Sequence, residues 1–198
     1  MRRLLVLCVL SVVFAAAFVS VDAKPRKPIS SFKKLGTDET IVVGRVELVP
    51  PLHEHEQRVS GPMSKKYRDK MFLVVDQEYR ELTEEPGWGD FKGRIDAPFG
   101  EEFFVRSKSE PFYIIAGMVI LTMGRSGTDN AYFPGGLKAD IRPGDKAVYV
   151  GTIRYHRDEF FEVTNAEIID DYDRVKVEFE AQFGRQHTLR KALLKPVK

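Results

Sequence analysis

Two β-rich segments near the C-terminal end, separated by a short polar stretch, constrain this chain more than any other feature. Pro143-Gly144-Asp145 marks a turn, and residues 146–155 then read as a strand. Strict alternation puts Val148, Val150 and Thr152 on one face and Ala147, Tyr149, Gly151, Ile153 and Tyr155 on the other. His156-Arg157-Asp158-Glu159 leads into a second β segment, 160–168. Two such runs joined by a few polar residues predict an antiparallel hairpin. Its aromatics, Tyr149, Tyr155, Phe160 and Phe161, are expected in the core.

The rest of the chain extends the same reading. Residues 40–49 are β-branched and close at Pro50-Pro51. Residues 71–75 form a short continuous apolar run, as in a strand covered on both faces, and 102–106 are another candidate. The longest apolar stretch beyond the N-terminus is 112–123, interrupted by Gly117. It predicts a long central strand, or two strands meeting at a glycine bend. Residues 53–70 are polar and read as a long loop, or a loop with one helical turn.

The period then changes. Tyr172, Val175, Phe179 and Phe183 recur at helical spacing, after Asp170-Asp171 and before Gly184. Leu189, Leu193 and Leu194 suggest a second amphipathic helical piece before Lys195-Pro196, giving a helical segment over 171–194. The fold class expected is mainly β: an antiparallel β-sandwich, immunoglobulin-like or prealbumin-like, with one or two C-terminal helices. A small, partly open β-barrel is the alternative.

Compartment follows from the other end. Met1-Arg2-Arg3, the apolar run 4–19 and Val21-Asp22-Ala23 have the three-part grammar of a cleavable export signal over 1–23. The run is short of the roughly 20 residues a spanning helix needs, so no transmembrane helix is expected in the exported chain. The only cysteine, Cys8, lies inside this signal, and its place near the front of the run argues against lipidation. Neither Asn130 nor Asn165 begins a glycosylation acceptor. These features point to an exported, most simply periplasmic, location, with secretion or surface association as variants. Residues 24–36 read as a flexible basic leader, and 37–194 as a single domain. Lys24, Arg26, Lys27, Lys33 and Lys34 give that leader a possible weak contact with an anionic surface. The whole chain has 31 basic and 29 acidic side chains, which offers no global field for nucleic acid.

Candidates for chemistry are few. His53-Glu54-His55-Glu56 is the most metal-like string, since alternate residues of an extended segment face the same way. Two imidazoles are an incomplete set, and further ligands would have to come from His156, His187 or a carboxylate. Gly124-Arg125-Ser126-Gly127-Thr128-Asp129 is a glycine-rich connection without the spacing of a nucleophile elbow. Trp88, the single tryptophan, sits between Gly87 and Gly89, as a plug on the core or a platform for stacking on sugar. Glu84-Glu85 and Asp170-Asp171 are adjacent acids that point in different directions, which suits capping and solvation. No cofactor fingerprint occurs, and none is expected.

The hairpin from Gly144-Asp145-Lys146 to Asp158-Glu159-Phe160-Phe161 resembles the penultimate hairpin of small exported bacterial β-sandwich proteins. This chain lacks the lipidated cysteine of the anchored ones. The functional expectation is a non-catalytic binding or structural module of the cell envelope, whose partner is another envelope protein or a glycan. Trp88, Arg125, Asp129 and His156 are its candidate contact residues, and His53 and His55 its candidate metal ligands. An envelope hydrolase or metal-dependent protein, or a carrier of a small apolar ligand, is the alternative.

Overall fold

The computed structural model describes residues 25–56, 67–80, 93–123 and 127–197. They are mainly β, with ten strands in two sheets and one α-helix, and the sheets do not close into a barrel. The strands are β1 (Glu39–Val49), β2 (Lys70–Asp76), β3 (Gly93–Pro98), β4 (Glu102–Lys108), β5 (Phe112–Met123), β6 (Gly127–Ala139), β7 (Ala147–Arg157), β8 (Val163–Ile169), β9 (Arg190–Lys191) and β10 (Lys195–Pro196). Sheet I has the order β4-β1-β7-β8, with β9 also on β7; sheet II has the order β10-β6-β5-β2-β3. The pairing is mostly antiparallel, but β1 with β7 and β7 with β9 are parallel. Sheet I is therefore mixed, within a fold that is mostly antiparallel as expected. No helix among the described residues is long and apolar enough to cross a membrane.

One cluster of buried side chains takes members from both sheets. Val42, Val148, Val150 and Tyr155 of sheet I meet Leu73, Val75, Ile114 and Phe133 of sheet II. The far side of β2 is buried too, with Phe72 and Val74 beside Ile115 and Met118, as its unbroken apolar run implies. Tyr155, fully buried, donates its hydroxyl to the Pro134 carbonyl of β6 at 2.7 Å, a polar tie from one sheet to the other. Burial pushes its phenol well above the ordinary range.

Gly151 interrupts the alternation in β7. Pairing with β1 advances two residues on β1, from Val43 to Arg45, and three on β7, from Tyr149 to Thr152. The extra residue flips the parity, as a bulge must. Val148 and Val150 therefore face the inter-sheet core together with Ile153 and Tyr155, not with Thr152. Gly151 has φ +103°, and a Cβ there would sit 2.7 Å from Ile168 Cγ2, so conformation and space both require glycine.

The helix α1 (Tyr172–Phe183) buries Val175, Phe179 and Phe183 on the outer face of sheet I, over Ile41, Val43, Ala147 and Tyr149. Asp171 stands at its N-cap position but makes no side-chain cap; its carboxylate accepts from the Thr152 hydroxyl at 3.2 Å. Asp170 accepts the Tyr172 N–H instead. Gly184 ends the helix.

The expected helix over 188–194 is absent. Those residues are extended, with β9 parallel to β7 and the Ala192 and Leu194 N–H groups donating to Tyr149 and Val150 carbonyls. The reason is an unfilled edge: β8 covers β7 only from Thr152 onward, and the tail satisfies the backbone groups that remain. Residues 25–35, expected as a flexible leader, are likewise fixed. Pro25 bridges to Arg94 and Pro28 to Val105, Ile29 is buried, and Phe32 packs edge-on against Phe179 and Phe183. Lys27, Lys33 and Lys34 remain exposed.

Candidate functional site

The parallel strands β1 and β7 finish side by side, with Val49 in register with His156. From there the chain turns into residues 50–56 on one side and the β7–β8 hairpin on the other. Arg157 fastens the two. Its side chain is 1% exposed and forms a forked pair with Glu56, with Nη2 to Oε2 at 2.9 Å and Nη1 to Oε1 at 3.3 Å. Nε donates to the Pro50 carbonyl, Nη2 also to Pro51 and Nη1 also to Asp158. All five N–H donors of the guanidinium are thus used. The cation also lies 4.1 Å from the centroid of the Phe161 ring.

The turn beyond Arg157 is held equally firmly. Strand β7 runs through Arg157, two residues further than expected, so the loop is 158–162 and not 156–159. Asp158 Oδ1 accepts the N–H groups of Phe160 and Glu162 at 2.8 and 2.9 Å, while Asp158 N–H donates to the Glu162 carbonyl. Phe161 adopts φ +66°, in the left-handed region, and turns inward under Arg157. Phe160 is thereby turned outward and is 76% exposed, which corrects its expected place in the core. Glu159 and Glu162, both exposed, flank it. The result is a large apolar side chain in an acidic frame, on a backbone fixed by an aspartate and an arginine.

His53 and His55 belong to the same end of sheet I. A turn joins them, closed by Glu56 N–H to His53 C=O, and their rings lie parallel with centroids 5.6 Å apart. Glu56, the second carboxylate of that string, is committed to Arg157 and to the His53 N–H. Among the described residues no group of three or more His, Cys, Asp or Glu side chains is arranged to hold a metal ion.

His156 lies on the opposite surface of β7 from Arg157, within a chain of ion pairs crossing sheet I. Its Nε2 is 3.0 Å from Glu167 Oε1; Glu167 reaches Arg154, Arg154 pairs with Glu47, and Arg45 joins Glu47 to Glu102. Arg174 of α1 extends the row from Glu102 to Glu178. The hydrogen bond to His156, aided by Arg154, holds the Glu167 carboxyl below the usual range. At Glu102 burial acts to raise the carboxyl, but the Arg174 and Glu178 hydrogen bonds outweigh it and hold it low.

Of the other residues singled out from sequence, Trp88 and Arg125 lie outside the described residues. Asp129 is exposed on β6, where it accepts the Asn130 N–H. No hydrogen bond or ion pair links it to His53, His55 or His156 among the described residues. The structure thus gathers His53, His55 and His156 at one end and leaves Asp129 apart. Arg157, Glu56 and Phe160 were missed. Only one local signal was available, an aspartate two residues before Phe160, the spacing of an Asx-turn.

These features define a mainly β, two-sheet protein with a rigid hairpin tip that exposes an aromatic side chain. The chain matches no protein-family model, and no curated protein and no solved structure is significantly similar to it.

Proposed function

We propose that this chain is an exported, non-catalytic binding module of the cell envelope, built as a β-sandwich, that holds another envelope protein through the tip of its β7–β8 hairpin. One observation carries the reading: Phe160 is 76% exposed on a loop pinned by Asp158 and Arg157. Exposed apolar side chains are common, but this one is carried on a loop whose backbone is held by Asp158. Here the ordering cost of the loop is met in the free protein, so docking the ring into a pocket forfeits little entropy. Glu159 and Glu162 match a pocket with a basic rim, and the His53–His55 pair adds a second contact at the same end. Phenylalanine has no hydroxyl or N–H to offer a sugar, which favours a protein partner over a glycan.

The test places a photo-reactive phenylalanine analogue at position 160 in the exported protein, within living cells. The expected product is one discrete crosslinked envelope protein, which co-purifies with the parent and is reduced at least ~10-fold by Phe160→Ala, as for a central interface residue. Val177, 68% exposed on α1, supplies the control, and Val177→Ala leaves capture unchanged. A crosslink to glycan, or equal capture by Phe160→Ala, would overturn the assignment.

A further inference from the structure

Nearly every sheet edge among the described residues is covered or blunted. The outer side of β4 is met by the N-terminal segment, through Ile29 N–H to Phe104 C=O at 3.0 Å and Arg106 N–H to Lys27 C=O at 3.4 Å. That of β3 receives Arg26 N–H at 2.8 Å and carries Arg94, Asp96 and Pro98. Strand β6 is covered by β10, a Lys-Pro pair, and the start of β7 by β9, an Arg-Lys pair. Lysine, proline and mixed charge are the usual means of discouraging edge pairing.

Strand β8 has none of them. It reads VTNAEII, with one charged residue and neither lysine nor proline. Residues 164–167 are exposed, and among the described residues only β7 hydrogen-bonds to its backbone. We propose that β8 pairs antiparallel with β8 of a second copy, about a two-fold axis through Ala166, so that sheet I continues from one copy into the next.

The strand is self-complementary about that axis. Ala166 meets Ala166, Asn165 meets Glu167, Thr164 meets Ile168, and Val163 meets Ile169. Each Glu167 carboxylate thus faces an amide N–H donor, whereas registers that oppose the two carboxylates are disfavoured. The smallest side chain of the strand sits on the axis, where two identical groups must approach each other. An isologous contact of this kind closes at two copies and propagates no fibre along this edge. Seven residues of edge are a small interface, so the dimer is reversible and concentration-dependent. The proposal does not depend on what Phe160 binds.

An on-axis residue meets its own copy at roughly 5 Å, so its charge can be set against itself. Sedimentation velocity of the purified protein is expected to give twice the chain mass, with Ala166→Lys and Ala166→Glu each monomeric. An equimolar mixture of the two variants is expected to regain the dimer, at least ~10-fold tighter than either alone, as an opposed pair replaces like charges. A monomeric parent at every accessible concentration overturns the proposal. So do dimers of both variants as tight as the parent, or a mixture no tighter than its components. A measurement without substitutions reads the same surface: amide exchange in β8 of the parent slows as concentration rises, and no change there overturns the proposal equally.

Discussion

Arg157 shows how a single side chain fixes a surface it does not belong to. Its guanidinium serves two carbonyls of the 50–56 segment, both oxygens of Glu56 and the Asp158 carbonyl. Losing it leaves a nearly buried carboxylate and three carbonyls without those donors. A buried pair broken from one side costs about 3–5 kcal/mol. Arg157→Ala is therefore expected to lower the unfolding free energy by about that amount, measured by urea denaturation. Arg157→Lys keeps the charge but supplies three donors in place of a planar fork, and recovers only a minor part. A loss within ~0.5 kcal/mol, typical of surface sites, would mean that the latch is not closed in solution. Nothing in the local sequence announces this pair, because Arg157 and Glu56 lie 101 residues apart. Phe160 was misread for a related reason: an aromatic beside another aromatic at a strand end looks like core. Only the Asp158 clamp and the left-handed Phe161 turn it outward.

At the scale of elements, periodicity was legible wherever an element buries one whole face. Strands β1, β2, β4, β5 and β7 and the helix α1 all follow from it. Strand β6 was missed because Pro134-Gly135-Gly136 reads as a break. In the sheet, Gly135 is where β6 passes so close to β5 that a Cβ would lie 2.2 Å from the Ile115 carbonyl oxygen. The C-terminal tail was misassigned because leucines four apart suit a helix, whereas the open edge of β7 lies far away in sequence and is invisible to local propensity. What holds this tail can be tested by acid. Arg190 grips Asp145 through Nε at 2.8 Å and through Nη2, and Nη2 also donates to the Asp140 carbonyl. Burial by itself would raise the Asp145 carboxyl, but hydrogen bonds from Arg190 and the Arg142 N–H, with the two positive charges, hold it below the usual range. A carboxylate depressed in the folded state stabilises fully above its unfolded pKa, about 3.9. That contribution is lost as pH falls through the folded value. Once corrected for intrinsic rates, exchange at the Ala192 and Leu194 amides is expected to accelerate below about pH 4, ahead of β5. Asp145→Asn should remove the pH dependence, leaving the tail equally loose across the range. Tail protection that follows β5 at every pH would show that the pair does not hold it.

For the whole molecule, the two terminal segments work as straps on opposite margins of the sheets. Residues 190–196 run from β7 of sheet I to β6 of sheet II, and residues 25–29 run from β3 of sheet II to β4 of sheet I. Magnitudes indicate what the second strap contributes. Burying Ile29 gains about 1.5–3 kcal/mol. Three backbone hydrogen bonds and one from Arg26 to Ser107 add about 1 kcal/mol each. Ordering five residues costs about 1–2 kcal/mol apiece, so gain and cost nearly cancel. The strap then matters less for stability than for what it covers, namely the otherwise open backbone of β3 and β4. Deleting residues 25–29 is accordingly expected to shift the melting temperature by no more than a few degrees, since 1 kcal/mol corresponds to about 2–4 °C at this size. The same deletion should make the protein associate on concentration, seen as rising light scattering, because two bare edges can pair with other chains. Lysine at the outward positions of β4 should suppress that association without restoring the strap. The opposite result, a large fall in melting temperature with no association, would make the segment a stabilising element, and edge protection would then have to reside in Arg94, Asp96 and Pro98 alone.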